Sequence, residues 1–182
     1  MPSAEAVLSE APAGDEYGTY HTRYVSLVPS GHVLVTLAAQ LEETLAILRG
    51  VSEADAERKQ PPYQWSIKEV VGHMTDTERV FAYRAMRFAR EDPTPLPSFD
   101  QDDYVRAARF DRRPLAELLT EFATTRHASL SLLRGLDPEA LLRRGTASGI
   151  LVSVRAIAHI LAGHERHHAR ILRERVAALA TG

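Results

Sequence analysis

The sequence contains no cysteine. That excludes a disulfide framework and a thiolate metal site: any metal must be held by nitrogen and oxygen, and any thiol chemistry must take its sulfur from a substrate. A long apolar run is missing as well. No stretch approaches the ~20 uncharged apolar residues of a membrane span, and Met1 to Asp15 has neither the basic start nor the apolar centre of a secretion signal. A soluble, cytoplasmic protein without membrane contact is expected. Charge of one sign is not in excess either: 22 Lys and Arg stand against 24 Asp and Glu, a formal net charge of −2. With no basic field to grip a nucleic-acid backbone, nucleic acid is not an expected partner. No repeat period shows, and strand-like alternation is confined to a few residues near Gly149-Ile150-Leu151-Val152.

What the chain does have is helical periodicity, over a length of 182 residues that suits one domain. Residues 1–26 mix Pro, Gly, Ala, Glu and Tyr without a period and read as a loosely structured leader, with His21 a solvated bystander. The folded domain is expected over residues 27–182. Its first helix, Ser30 to Arg49, carries Leu34, Leu37, Leu41, Leu45 and Leu48 and stops at Gly50. A capping box, Ser66-Ile67-Lys68-Glu69, opens a second helix to about Arg90. Glu91 to Arg113, proline-rich and holding Asp100, Asp102 and Asp103, reads as a long crossing loop. Pro114 begins a third helix with the stripe Leu115, Leu118, Phe122, Thr125, Ser129 and Leu132, ending near Gly135. Asp137-Pro138-Glu139 starts a short extra helical turn, and Ser153 caps a last helix to about Leu179. The expected class is all-α: a four-helix bundle with a long crossing loop between helices 2 and 3.

On the last helix, Ile157, Leu161, His164, His168, Ile171 and Arg175 form one stripe at ~100° per residue, so two imidazoles stand where aliphatics belong. Each brings ring nitrogens that cost ~1–3 kcal/mol apiece if buried without partners, and an imidazole pair at i, i+4 is a bidentate metal clamp. A bundle builds its sites from facing helices. On the second helix Val70, His73, Thr77, Val80 and Arg84 align, and His73 flanks the apolar face of Ile67, Val71, Met74, Phe81 and Phe88. His73, His164 and His168 would give three nitrogen ligands with positions left open for water or substrate, the arrangement of a catalytic site. Such a set suits a divalent ion, zinc or nickel first and iron, manganese or cobalt after them. Asp76, three residues after His73, and Glu165 are the second-shell carboxylate candidates.

The other histidines point elsewhere. His167 is turned ~100° from His168, His159 lies off the ligand stripe, where it serves a hydrogen bond in the interior or a subunit contact, and His32 and His127 read as structural or solvated. His164-Glu165-Arg166-His167-His168 also fits the His-Glu-x-x-His pattern of zinc peptidases, but the extended form wants Gly and His where Ile171 and Glu174 stand. Asp100, Asp102, Asp103 and Tyr104 either line the mouth of a site or are simply solvated. Arg84 and Arg126 pair with internal carboxylates or with an anionic ligand, and Trp65 is a packing residue beside the capping box.

The tract from Trp65 to Arg79 with Tyr83-Arg84-Ala85, the segment Ala158 to His168, and Phe99-Asp100-Gln101-Asp102 between them together resemble the DinB/YfiT-like superfamily, over roughly Ser30 to Val176. The resemblance implies a four-helix bundle, a homodimer, and a divalent metal on His73, His164 and His168. It also implies chemistry with a small-molecule substrate: a transferase that uses a low-molecular-weight thiol as co-substrate, or a metal-dependent hydrolase. The first is the leading expectation. A non-enzymatic, stress-related metal-binding or scaffold protein is the third.

Overall fold

Helices arise where apolar spacing and caps direct them in the computed structural model, which describes residues 2–179. In chain order these are α1 (Ala4–Ser9), α2 (Thr22–Val25) preceded by a 3-10 turn at Thr19–His21, α3 (Val33–Leu48), α4 (Glu53–Glu57), α5 (Ile67–Ala89), α6 (Gln101–Ala108), α7 (Leu115–Arg134) and α8 (Pro138–Leu142). A hairpin of β1 (Arg144–Ala147) and β2 (Ile150–Ser153) then leads into α9 (Val154–Leu179). The capping box forms as the sequence directs: the amide of Glu69 donates to Ser66 Oγ at 3.1 Å, and that of Ser66 to Glu69 Oε2 at 2.7 Å.

The four long helices close a ring in which α3 touches α9 and α7, and α5 touches α7 and α9. Successive long helices α3 and α5 therefore stand across the bundle from each other. The apolar core falls into two clusters, one holding Leu37, Phe81, Leu130 and Leu161 and the other Leu41, Met74, Phe122 and Leu172. On every long helix the break between the clusters is a polar layer: Gln40 and Thr44 on α3, His73, Thr77 and Glu78 on α5, Arg126 on α7, and His164, Glu165 and His168 on α9. Arg126 ties this layer together. Its Nε and Nη2 donate to the two oxygens of Glu78, each at 2.7 Å, and Nη1 donates to Leu37 O and to Glu165 Oε2.

Three expectations need correcting. Within the expected leader 1–26, the described residues 2–26 are not loose: Ser3 caps α1, Val7, Leu8 and Val25 are buried, and Glu16 accepts hydrogen bonds from the Ala13 amide, Ser153 Oγ and Arg155 Nε. Helices of one turn are too short to show a 3.6-residue period. The crossing segment is not irregular throughout, because Asp100 caps α6 by accepting from the amides of Asp102 and Asp103, and Val105 and Phe110 anchor the segment in the core. Finally, a small antiparallel hairpin joins the helices, with Gly145 opposite Val152 and Ala147 opposite Ile150. Its turn is Ser148-Gly149, both with positive φ, of 54° and 75°, as a two-residue hairpin turn needs.

Candidate metal centre

Neighbouring helices α5 and α9 bring the three stripe histidines to one point. His164 Nε2 lies 3.1 Å from His73 Nε2 and 3.1 Å from His168 Nε2, and one ring nitrogen from each residue falls within 4.8 Å of the others. His73, His164 and His168 are 4, 7 and 8 % exposed as whole residues. Burial, aided by the charge of neighbouring histidines, pushes His73 down to about 4 and His164 and His168 well below the ordinary imidazole range. All three are therefore neutral at physiological pH and present lone pairs.

The donor set fits a cation better than it fits itself. A neutral imidazole carries one hydrogen on one of its two nitrogens. If His164 Nε2 donates it to one neighbour it has no lone pair for the other, and if it holds none it can accept from at most one well-aligned ring. Nitrogens held at 2.0–2.1 Å around a common ion, at angles of 90–109°, stand roughly 2.8–3.4 Å apart, which brackets the observed 3.1 Å. Coordination through Nε2 also places the ring hydrogen on Nδ1. For His73 that nitrogen lies 3.4 Å from Thr77 Oγ1, which can accept its hydrogen. For His168, Nδ1 is buried without a protein partner among the described residues. Trp65 tilts over His73 with centroids 4.7 Å apart, and Tyr24 meets His164 edge-on at 5.3 Å.

The carboxylates expected beside these rings are engaged elsewhere. Asp76 faces Arg79, and the residue one turn beyond His73, Thr77, takes the place expected for it. Glu165 is neither solvated nor hydrogen-bonded to a histidine: its oxygens accept from Thr44 Oγ1 at 2.7 Å and from Arg126 Nη1. A carboxylate so occupied has no free oxygen for a peptidase general base. Arg126 is thus the structural ion pair, 0 % exposed, and burial is outweighed by Glu78 and Glu165, which raise its pKa. His159 is an interior residue, with Nδ1 bonded to Arg155 O at 3.0 Å, whereas His127 is exposed. His32 is half-buried, and its Nδ1 has no partner among the described residues.

A cavity of about 410 Å³ opens onto His73 and His164. Its walls include Phe81, Phe99, Ile160 and Leu161, with Asp100 and Asp102 from the crossing segment. Tyr20, His21 and Tyr24 close one side, so His21 is a wall of the site and not a bystander. Periodicity gave no signal for these three. Arg84 and Ser148 also reach the cavity, whereas Asp103 pairs with Arg106 and Tyr104 packs on Phe99.

Residues 36–172 match the sequence profile of the DinB superfamily. Among solved structures the chain is similar to YfiT from Bacillus subtilis, described as "a probable metal-dependent hydrolase with an unusual four-helix bundle topology". The TM-score is 0.68 at 13% identity, over 94% of each chain. That likeness is one of fold. No curated protein matches the sequence.

Proposed function

The chain belongs to the DinB superfamily, and from that membership we propose that it is a divalent-metal-dependent enzyme acting on a small molecule, with S-transfer from a low-molecular-weight thiol as its reaction. The convergence of three neutral imidazole nitrogens beside an open cavity carries this reading. A cation held by His73, His164 and His168 supplies Lewis acidity, which lowers the pKa of a thiol or a water brought to an open position. Zinc or nickel suits the donor set first.

The protein's own contribution is placement. Thr77 lies within reach of His73 Nδ1, Trp65 packs tilted over the His73 ring, Tyr24 meets His164 edge-on, and the apolar walls restrict water around the reacting group. The absence of cysteine makes the thiol a second substrate. Thiol transfer is favoured because a thiol starts from a pKa of about 8.5 and a water from about 15.7, and hydrolysis normally recruits a carboxylate to take the proton. Asp76, Glu78 and Glu165 are all held by arginines, and of the cavity-wall carboxylates Asp100 uses one oxygen for the α6 cap, which leaves the exposed Asp102. Hydrolysis is the second reading, favoured by the description of YfiT. A homodimer is part of the same proposal.

The test incubates the metal-loaded protein with an alkyl or aryl electrophile, with and without bacillithiol, mycothiol or glutathione. A conjugate formed only when thiol, metal and protein are all present is expected. Conjugation absent with every thiol, alongside metal-dependent cleavage of simple esters or amides, would replace transfer by hydrolysis.

A further inference from the structure

Arg126 is neutralised by Glu78 and Glu165. Arg175 has an acceptor on each of its three nitrogens, Gln60 Oε1, Trp65 O and Arg58 O. Arg84 is unlike either. It is 5 % exposed, yet its two acceptors among the described residues, Pro97 O at 2.8 Å and Ser148 Oγ at 3.0 Å, both bond to Nη2. No described carboxylate is ion-paired to it, and burial accordingly lowers its pKa with nothing raising it. The three hydrogens on Nε and Nη1 have no acceptor among the described residues, and Arg84 lines the cavity that also holds His73 and His164.

The surroundings of this guanidinium hold it without neutralising it. Phe81 and Phe99 place their rings 5.1 and 5.9 Å from its Cζ, and His21, which lines the same cavity, has a buried Nδ1 with no partner among the described residues. The acidic residues of the cavity wall are not its counter-ions, since Asp100 caps α6 and Asp102 is exposed. A cation with no counter-ion at the wall of a cavity leaves its free N–H groups to whatever occupies that cavity, and an anion suits them best. On α5, Arg84 follows His73 by eleven residues, which is about three turns, ~16 Å between Cα atoms, and only ~20° off the same stripe.

We propose that Arg84 anchors an oxyanion carried by the substrate, so that the cavity takes a small organic anion whose apolar body lies along Phe81, Ile160 and Leu161 and whose far end lies at the three histidines. This rests on the reading of the site as a small-molecule enzyme. A carboxylate and a phosphate monoester share the chemistry that a guanidinium recognises.

The test titrates 4-phenylbutyrate, its uncharged amide and phenyl phosphate calorimetrically into zinc-loaded and chelator-stripped protein, and into Arg84→Gln and Arg84→Lys. At least one anion is expected to bind both forms of the wild type, with the amide weaker by roughly tenfold or more. Arg84→Gln is expected to lose that preference and Arg84→Lys to keep part of it; the tighter anion identifies the headgroup. Equal binding of anion and amide, no binding of either anion, or anion binding unchanged in a folded Arg84→Gln would each overturn the proposal. So would anion binding that disappears on chelation and ignores Arg84. Should Arg84→Gln lose its cooperative melt, the anion and amide comparison on the wild type, with Arg84→Lys, decides. Failure of the metal reading shows separately, as a wild type that takes up no zinc while the stripped protein still selects the anion.

Discussion

Arg126 and His164 illustrate how residues of unlike chemistry share one buried layer. The guanidinium of Arg126 meets Glu78 on α5, Glu165 on α9 and the carbonyl of Leu37 on α3, so removing it strands two carboxylates where water does not reach. Arg126→Met is expected to lower unfolding free energy by about 3–5 kcal/mol, because the unpaired charges outweigh the apolar packing gained. Urea denaturation checks this, and a loss below about 1 kcal/mol would show that the network adds little. Glu165 shows what spacing alone conveys about a residue. Its place in His-Glu-x-x-His suggested chemistry, but the partner that decides its role, Arg126, lies 39 positions away in sequence, where no local pattern reaches.

At the scale of elements, close approach sets the geometry of the site. A Cβ on Gly163 would stand 2.0 Å from Tyr24 O, so the glycine before His164 is what lets α2 lie against α9 and Tyr24 meet the His164 ring. Gly163→Ala is expected to cost about 1–3 kcal/mol by overpacking and to displace the Tyr24 contact, read by denaturation and by the ring resonances of His164. Gly135→Ala, whose Cβ would meet nothing nearer than 3.6 Å, is the neutral control; equal effects at both positions would contradict the packing argument. The start of α9 is held by Glu16. Burial would raise its pKa, but hydrogen bonds from Arg155, Ser153 and the Ala13 amide prevail and bring it down to about 2 from an ordinary 4.5. A depressed carboxylate stabilises the fold fully above its unfolded pKa and loses that contribution as pH falls toward its folded one, here on the order of 3 kcal/mol. Wild type is therefore expected to be more stable than Glu16→Gln at about pH 6, with the gap narrowing toward pH 3; a gap independent of pH would remove Glu16 from this role.

Across the whole molecule, the long helices and the faces that carry the three histidines were legible in the sequence because each is written in a period of 3.6 residues. Leu34 through Leu48 marks α3, and His164 with His168 marks a face of α9. Less legible were features that depend on distant partners or very short elements: Val7, Leu8 and Tyr24 fold back onto the bundle from segments too brief to show a period. The ring of helices joins α5 to α9 across half the length of the chain, and only that ring explains why His73 and His164, 91 positions apart, come within 3.1 Å. Among the described residues no helix is long and apolar enough to cross a membrane.

Equilibrium dialysis against zinc and nickel, on protein purified without an affinity tag, bears most directly on whether those imidazoles form a metal site. One tightly held ion per chain is expected for the wild type, raising the melting temperature by mass action, and each of His73→Ala, His164→Ala and His168→Ala is expected to lose the ion while still melting cooperatively. A wild type that holds no ion, or a folded triple-alanine variant that binds as much as the wild type, would contradict it.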